Sequence, residues 1–374
     1  MKIICEKSTL AENINIVSKA VSSRTTLSIL ECILLIADEK GFRLIGNDLE
    51  MGIETTAIEA QVLHTGSVAL EARIFSDIIR RLPDAEVTID VDDKNVTVIT
   101  CGKSEFKILG QPGAEFPFLT TVEKTTEYRM RAETFRDMIK QTIFSVAVDD
   151  SKPVMMGELL EISQNAVKLV AVDGFRISVR TDYSDVENQE MTAVVPGKAL
   201  NEISKVLSGD GHQMISLYAT DKHMLFELSN CMIVTRLLEG DFIQYENLFT
   251  DDYTTLVTVN RDEMLMSLDR ASLISKDTKK NPIKLSIEND RMIITSNTEI
   301  GTSHEEVSIE TDGIPIDIAF NPRYLMEALK AMEHELITIQ FTTPLSPCII
   351  KAVTEEGEAP DLYRYLILPL RIKN

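Results

Sequence analysis

The sequence predicts an α+β fold in which one domain is written three times in tandem. The basic residues Arg73, Lys198 and Arg323 recur at intervals of 125 positions, and Arg80, Lys205 and Lys330 repeat that interval seven residues later. A short apolar strand precedes each pair, and an amphipathic helix carries both members. Each copy divides into two halves with one grammar: a strand, a polar start, a helix, then about three strands (a βαβββ-like unit). Boundaries fall near the polar stretches 123–127 and 250–255, which gives domains over 1–125, 126–252 and 253–374.

The elements follow in order. Ile3–Cys5 leads into Leu10, Ile14 and Val17, with Ser8-Thr9 and Glu12 spaced as a capping signal. Ser67–Leu70 leads into Ile74, Phe75, Ile78, Ile79 and Leu82. Tyr128–Met130 leads into Phe135, Met138, Ile139 and Ile143. Ala193–Pro196 leads into Ala199, Leu200, Ile203, Val206 and Leu207. Leu256–Val259 leads into Met264, Leu265 and Leu268, beginning at Asn260 or Arg261. Ile316–Phe320 leads into Tyr324, Leu325, Ala328, Leu329 and Met332. Each spacing makes one apolar stripe, and a basic pair at i and i+7 lies away from it on a single face. Hairpin signals fill the intervals: Val87–Val91 with Val96–Thr100, Ala166–Val172 with Arg176–Val179, and Lys284–Ile287 with Met292–Thr295. Helices therefore cover one side of each domain and antiparallel strands the other. A Rossmann-type fold would need helices alternating with single parallel strands.

The chain has 374 residues, 44% of them hydrophobic, which suits ordinary packed cores. Its apolar runs stay far below the roughly 18 residues of a membrane span. Lys2 and Glu6 bring charge too early for a secretion signal, so the expected location is the cytoplasm. Cys5, Cys32, Cys101, Cys231 and Cys348 are odd in number and scattered, and read as reduced packing residues.

A net charge of −21 argues at first against a nucleic-acid partner. Its distribution reverses that. Six helix windows (7–24, 73–82, 131–140, 198–207, 261–280 and 323–332) hold 18 of the 38 basic residues but only 10 of the 59 acidic ones. Repeating one unit by a fixed rotation makes a solenoid, a filament or a ring. Six helices about 10 Å across leave a bore near ~19 Å, too narrow for a duplex roughly 20 Å wide. Twelve give about 38 Å, so a head-to-tail dimer would encircle double-stranded DNA without reading its bases.

Several stretches then resemble the bacterial DNA polymerase III beta subunit family, the sliding clamps. They are 24–30 (Arg24-Thr25-Thr26-Leu27-Ser28-Ile29-Leu30), 46–51 (Gly46-Asn47-Asp48-Leu49-Glu50-Met51), 171–176 (Ala171-Val172-Asp173-Gly174-Phe175-Arg176), 195–198 and 365–372. The resemblance spans the whole chain. It implies a head-to-tail homodimeric ring with no chemistry of its own, which tethers polymerase and repair factors to DNA for processive replication. Arg24, Arg73 and Lys198 match positions that face DNA, and the repeat adds Arg80, Lys205, Arg323 and Lys330. The DNA polymerase III alpha subunit, the clamp loader and other partners would dock short peptide motifs between the second and third domains. The implied pocket comprises Lys152, Met155, Val172, Gly174, Phe175, Arg176, Ile177, Ile243, Asn247 and Leu248, with Asn321, Tyr324, Leu345, Pro347, Leu366, Leu368, Pro369, Leu370 and Arg371. Phe175 replaces a histidine common in the family, Ile243 stands where proline is frequent, and Glu246-Asn247 lacks the usual basic residues. The implied subunit contact joins Lys103, Phe106, Lys107 and Ile108 to Leu273, Ile274, Glu299, Glu305 and Glu306: apolar residues with opposite charges at the rim.

Catalytic signatures are missing. Gly102-Lys103 and Gly197-Lys198 lack the rest of a P-loop, and His334-Glu335 lacks the second histidine of a zincin. Asp90-Val91-Asp92 lacks the glycine of an EF-hand loop. No catalytic residue, metal or cofactor is expected. Two other classes fit less well: a small-molecule enzyme using Asp173 and Arg176, whose Asp-Gly is ordinary turn chemistry, and a peptide-binding scaffold without DNA.

Overall fold

A computed structural model describes residues 1–22, 25–149, 152–183, 189–207, 213–274, 282–353 and 362–371. Arg24 lies outside these residues, as do Lys276, Lys279 and Lys280 of the window 261–280. Six α-helices occur among the described residues: α1 (Lys7–Val17), α2 (Ala72–Arg81), α3 (Ala132–Thr142), α4 (Gly197–Val206), α5 (Arg261–Ala271) and α6 (Pro322–Ala331). The starts and ends of α2, α4 and α6 are each 125 residues apart. No helix among the described residues is long and apolar enough to cross a membrane.

Local chemistry sets the helix starts. Glu71 caps α2 by accepting from the amides of Arg73 and Ile74. Asn260 caps α5 through the amide of Glu263, and Asn321 caps α6 through that of Arg323. Pro322 opens α6, where a missing N–H costs nothing. The capping signal expected at Ser8-Thr9 does not form. The strand Lys2–Glu6 runs directly into α1 at Lys7, whose amide donates to the Ala85 carbonyl at 3.3 Å, and Glu6 makes no side-chain cap. The apolar stripes bury Leu10, Ile14 and Val17 in α1, Phe75 and Ile79 in α2, and Leu325, Ala328 and Leu329 in α6. Ile74 departs from expectation: it is 51% exposed, because the buried arc of α2 is narrower than its apolar spacing suggests.

Two compact units emerge, one of residues 1–133 and 205–237, the other of 134–204 and 238–374. The second repeat is thus divided between them, because sheets run from repeat to repeat. In the first unit, the strand Met51–Thr55 pairs antiparallel with Cys231–Arg236, Ile53 opposite Ile233, inside a nine-stranded sheet. In the second unit, Arg176–Tyr183 pairs in the same way with Tyr363–Ile367, Ile177 opposite Leu366, again within nine strands. The first unit also holds a five-stranded sheet ending at Ser104–Leu109, and the second a four-stranded sheet ending at Gly301–Ser308. Helix α1 packs on α2 in the first unit, and α5 on α6 in the second.

Apolar faces of helices and sheets form the cores. In the second unit Leu285, Ile294, Phe320, Leu329, Ile350 and Tyr365 are fully buried together. All five cysteines are buried and free, as their scattered apolar contexts suggest. Burial pushes the Cys5 and Cys32 thiols up to about 11, and Cys231 and Cys348 to about 12.

Candidate functional site

The second unit carries an apolar cavity of about 170 Å³. Its floor comes from paired strands: Val172 precedes the turn, Arg176 and Ile177 follow it, and Leu366 and Leu368 lie along the neighbouring strand and tail. Gly174 sits at the tip of the turn with φ +86° and open space where a Cβ would be. Asp173 shapes that turn by accepting from the amides of Phe175 and Arg176 at 3.0 and 3.1 Å. Met155, Ile243, Leu248, Phe175 and Pro347 complete the wall. Every one of these lining residues belongs to the set that the family resemblance implies.

Arg176 is the polar centre of the site, with a side chain only 4% exposed. Its Nε donates to Asp173 at 2.7 Å and its Nη1 to the Tyr365 hydroxyl at 3.3 Å. It also pairs with Glu327 of α6 and donates to the Phe144 carbonyl. The guanidinium lies 4.3 Å from the centre of the Tyr324 ring, and Phe175 stacks on that ring at 6.5 Å. A buried charge needs this many partners to offset its desolvation. Sequence reasoning did not foresee Phe144, Glu327 and Tyr365, because they lie 32 to 189 residues away along the chain.

A second cluster holds the outer wall. Glu246 accepts from Lys168 at 2.8 Å and from Arg364 at 3.1 Å. Tyr245 is buried and pairs through its hydroxyl with Glu161. Ile243 and Leu248 flank these two residues, so the loop is fastened from both sides. The acidic Glu246, where basic residues are usual, has a concrete role here: it meets two cations of its own chain.

The other residues implied for the pocket do not line the cavity. Lys152, Asn247, Leu345 and Arg371 are exposed around it, Leu345 by 69%. Asn321 spends its side chain on the α6 cap. Tyr324 supports Phe175 and accepts the Tyr365 hydroxyl at its backbone oxygen, 3.1 Å away. Pro369 and Leu370 follow the last strand, and the Leu370 amide donates to Ala319 at 2.7 Å.

The repeated basic residues occupy equivalent places. Arg73, Lys198 and Arg323 are the second residues of α2, α4 and α6, and Arg80, Lys205 and Lys330 the ninth; all are exposed. Arg80 meets Asp77 at 2.5 Å and Arg323 meets Glu327 at 2.8 Å on their own helices. The other helices use their cations differently. Arg136 pairs with Asp137 in α3, Arg261 donates to the Met332 carbonyl and Arg270 binds Glu305. The basic pair seven residues apart is carried by α2, α4 and α6, while α3 holds an exposed cation, Lys140, in its last turn.

The residues implied for a subunit contact lie on two sheet edges. Phe106 (41% exposed), Lys107 and Ile108 are on the edge strand Ser104–Leu109, with Lys103 in the turn before it. Glu305 and Glu306 are on the edge strand Gly301–Ser308, and Glu299 is in the turn before it. Leu273 (57% exposed) and Ile274 follow α5 in a short 3₁₀ turn. Glu305 is already engaged by Arg270, at 2.5 Å. Leu109 and Ile300, 75% and 81% exposed, extend the apolar edges and were not singled out by the sequence.

The first unit contains a counterpart of the cavity that is largely filled. Leu49, with φ +74°, occupies the place of Gly174, and Gly52 that of Ile177. A Cβ on Gly52 would meet the Leu119 side chain at 1.9 Å, so the leucine lies across the space. Among the described residues no cluster of three or more His, Cys, Asp or Glu could hold a metal ion.

Comparison with known proteins agrees with this architecture. Sequence models of the DNA polymerase III beta subunit match in three parts: the N-terminal domain over residues 1–120, the central domain over 129–244 and the C-terminal domain over 246–371. The chain is 33% identical to the beta sliding clamp of Bacillus subtilis (strain 168), covering 99% of this chain and 100% of that one. A crystal structure of a putative DNA polymerase III beta subunit from Eubacterium rectale is similar with a TM-score of 0.94 at 40% identity, over 100% of both chains. The sliding clamp structure from Bacillus subtilis is similar with a TM-score of 0.94 at 32% identity, again over 100% of both. Three consecutive domain matches, mostly antiparallel sheets and the full-length likeness to sliding clamps have one common explanation: the chain belongs to the DNA polymerase III beta subunit family, the non-catalytic DNA sliding clamps.

Proposed function

We propose that two copies of this chain close head to tail into a ring around duplex DNA, in the cytoplasm. The observation that carries this is the strand count at the sheet ends. Within the chain, the last strand of one repeat pairs with the fourth strand of the repeat before it, twice, each time inside nine strands. The equivalent strands left over are Ser104–Leu109, at the end of five strands, and Gly301–Ser308, at the end of four. Joining these edges between copies makes a third nine-stranded sheet and satisfies both rows of open backbone groups. The flanking charges are complementary, Lys103 and Lys107 against Glu299 and Glu306.

The exposed basic pairs of α2, α4 and α6 face the phosphates, and the family resemblance adds Arg24 to the DNA-binding set. Contacts to phosphate alone carry no sequence preference, so the ring slides. The apolar cavity of the second unit takes a short peptide from the polymerase alpha subunit, the clamp loader or a repair factor. Its volume of about 170 Å³ suits one or two bulky apolar side chains, with Phe175 and Leu368 at the mouth. The domain limits supporting this reading are 1–125, 126–252 and 253–374. Sedimentation equilibrium tests the assembly: a mass twice the 41.9 kDa chain supports it, and a monomer at micromolar concentration contradicts it.

A further inference from the structure

Glu327 stands between the cavity and the basic face of α6. One carboxylate oxygen pairs with Nη1 of Arg176, which lines the cavity. The other accepts from Nε of Arg323 at 2.8 Å, four residues earlier on the helix. Tyr324 lies beside Arg323 and joins the same assembly, with Phe175 on its ring and the Arg176 guanidinium 4.3 Å from its centre. One carboxylate is therefore shared by a buried arginine of the partner pocket and an arginine exposed by 73% on the outer face of the helix.

We propose that Glu327 is a positioning residue that couples the peptide pocket to the DNA-facing helix. This rests on the readings of pocket and helix face given above. A phosphate that draws Arg323 away leaves the whole carboxylate to Arg176. The arginine is then held more firmly among Asp173, Glu327 and Tyr365, and the cavity floor is better prepared for a peptide. The two arginines compete for one anion, so removing either strengthens the other's pair. By linkage, peptide in the pocket must strengthen DNA binding by the same factor. An exposed i,i+4 ion pair is weak, so the coupling is small: up to about twofold in affinity.

The test is fluorescence anisotropy of a labelled ten-residue peptide with adjacent Leu and Phe anchors, titrated at low salt with full-length protein that is either free or loaded on circular duplex. The wild type should bind the peptide up to about twofold more tightly with duplex present. Arg323→Ala should already show the tighter affinity without DNA and gain nothing from it. Glu327→Gln should bind the peptide more weakly and be insensitive to duplex, a loss that simple structural damage would not produce. The proposal is overturned if duplex leaves wild-type peptide affinity unchanged or weakens it, or if Glu327→Gln keeps the full duplex effect. No peptide binding by the wild type would remove the pocket reading, and no retention on loaded circular duplex would remove the helix-face reading; either takes the coupling with it.

Discussion

At the scale of single residues, Glu158 is the sharpest conflict with its surroundings. The carboxyl is fully buried; one oxygen accepts from the Thr142 hydroxyl at 2.8 Å and the other has no partner. Burial pushes its pKa from 4.5 up to about 8, with the Thr142 hydrogen bond opposing. The folded chain keeps this proton up to about pH 8, whereas the unfolded chain releases it near 4.5. Stability from this group therefore falls as pH rises between those values and is flat above them. Glu158→Gln should remove that part of the slope, read as urea midpoints from pH 5 to pH 8 against the wild type. Identical slopes in both proteins would show that Glu158 is ionised in the fold.

Phe175 makes the complementary point. It is 56% exposed and packs mainly on Tyr324, so Phe175→Ala should leave folding intact. It should weaken peptide capture by about 1 kcal/mol, roughly fivefold, as read by isothermal titration. Unchanged affinity would remove it from the pocket mouth. The apolar residues of this pocket were visible in the sequence as motifs. The partners of Arg176 were not: Phe144, Glu327 and Tyr365 belong to separate elements that only the fold assembles. The Lys168–Glu246–Arg364 clasp was hidden for the same reason.

At the scale of elements, the threefold helix pattern was legible because it rests on local spacing. Basic pairs, apolar stripes and caps such as Asn260 and Asn321 are encoded within a dozen residues. Two local expectations failed where tertiary contacts decided the outcome. The amide of Lys7 finds Ala85 rather than a side-chain cap, and Ile74 lies just outside the buried arc of α2. Close approaches between elements are equally invisible in sequence. A Cβ on Gly46 would lie 2.2 Å from the carbonyl oxygen of Val17 at the end of α1. That oxygen is backbone and cannot swing aside, so Gly46→Ala should destabilise the first unit by about 1–3 kcal/mol. A melting temperature within a degree of wild type would contradict the packing of α1 on its sheet. The open edge strands carry a separate expectation. Phe106→Glu and Leu273→Glu together place charge in the apolar part of the proposed contact, and should shift sedimentation from dimer to monomer while circular dichroism stays unchanged.

At the scale of the whole molecule, composition alone misleads. The chain carries −21 charges, yet its repeated helix positions are basic. The proposed ring accounts for both, with its cations toward the DNA and its acidic surfaces repelling DNA elsewhere. The three-part repeat was readable from the sequence. The division into two compact units was not, because pairing such as Ile53 with Ile233 crosses from one repeat to the next. Arg73→Glu with Lys198→Glu reverses two charges of the proposed lining. The double variant should shorten residence on DNA at least tenfold at physiological salt, leaving the dimer mass unchanged. Equal residence would move the DNA contact to another surface.

The most direct measurement is survival of the protein on loaded circular duplex before and after that circle is cut once. The closed ring predicts persistence on the circle and rapid loss through the free ends after cutting. Equal retention on circular and cut DNA would contradict encirclement.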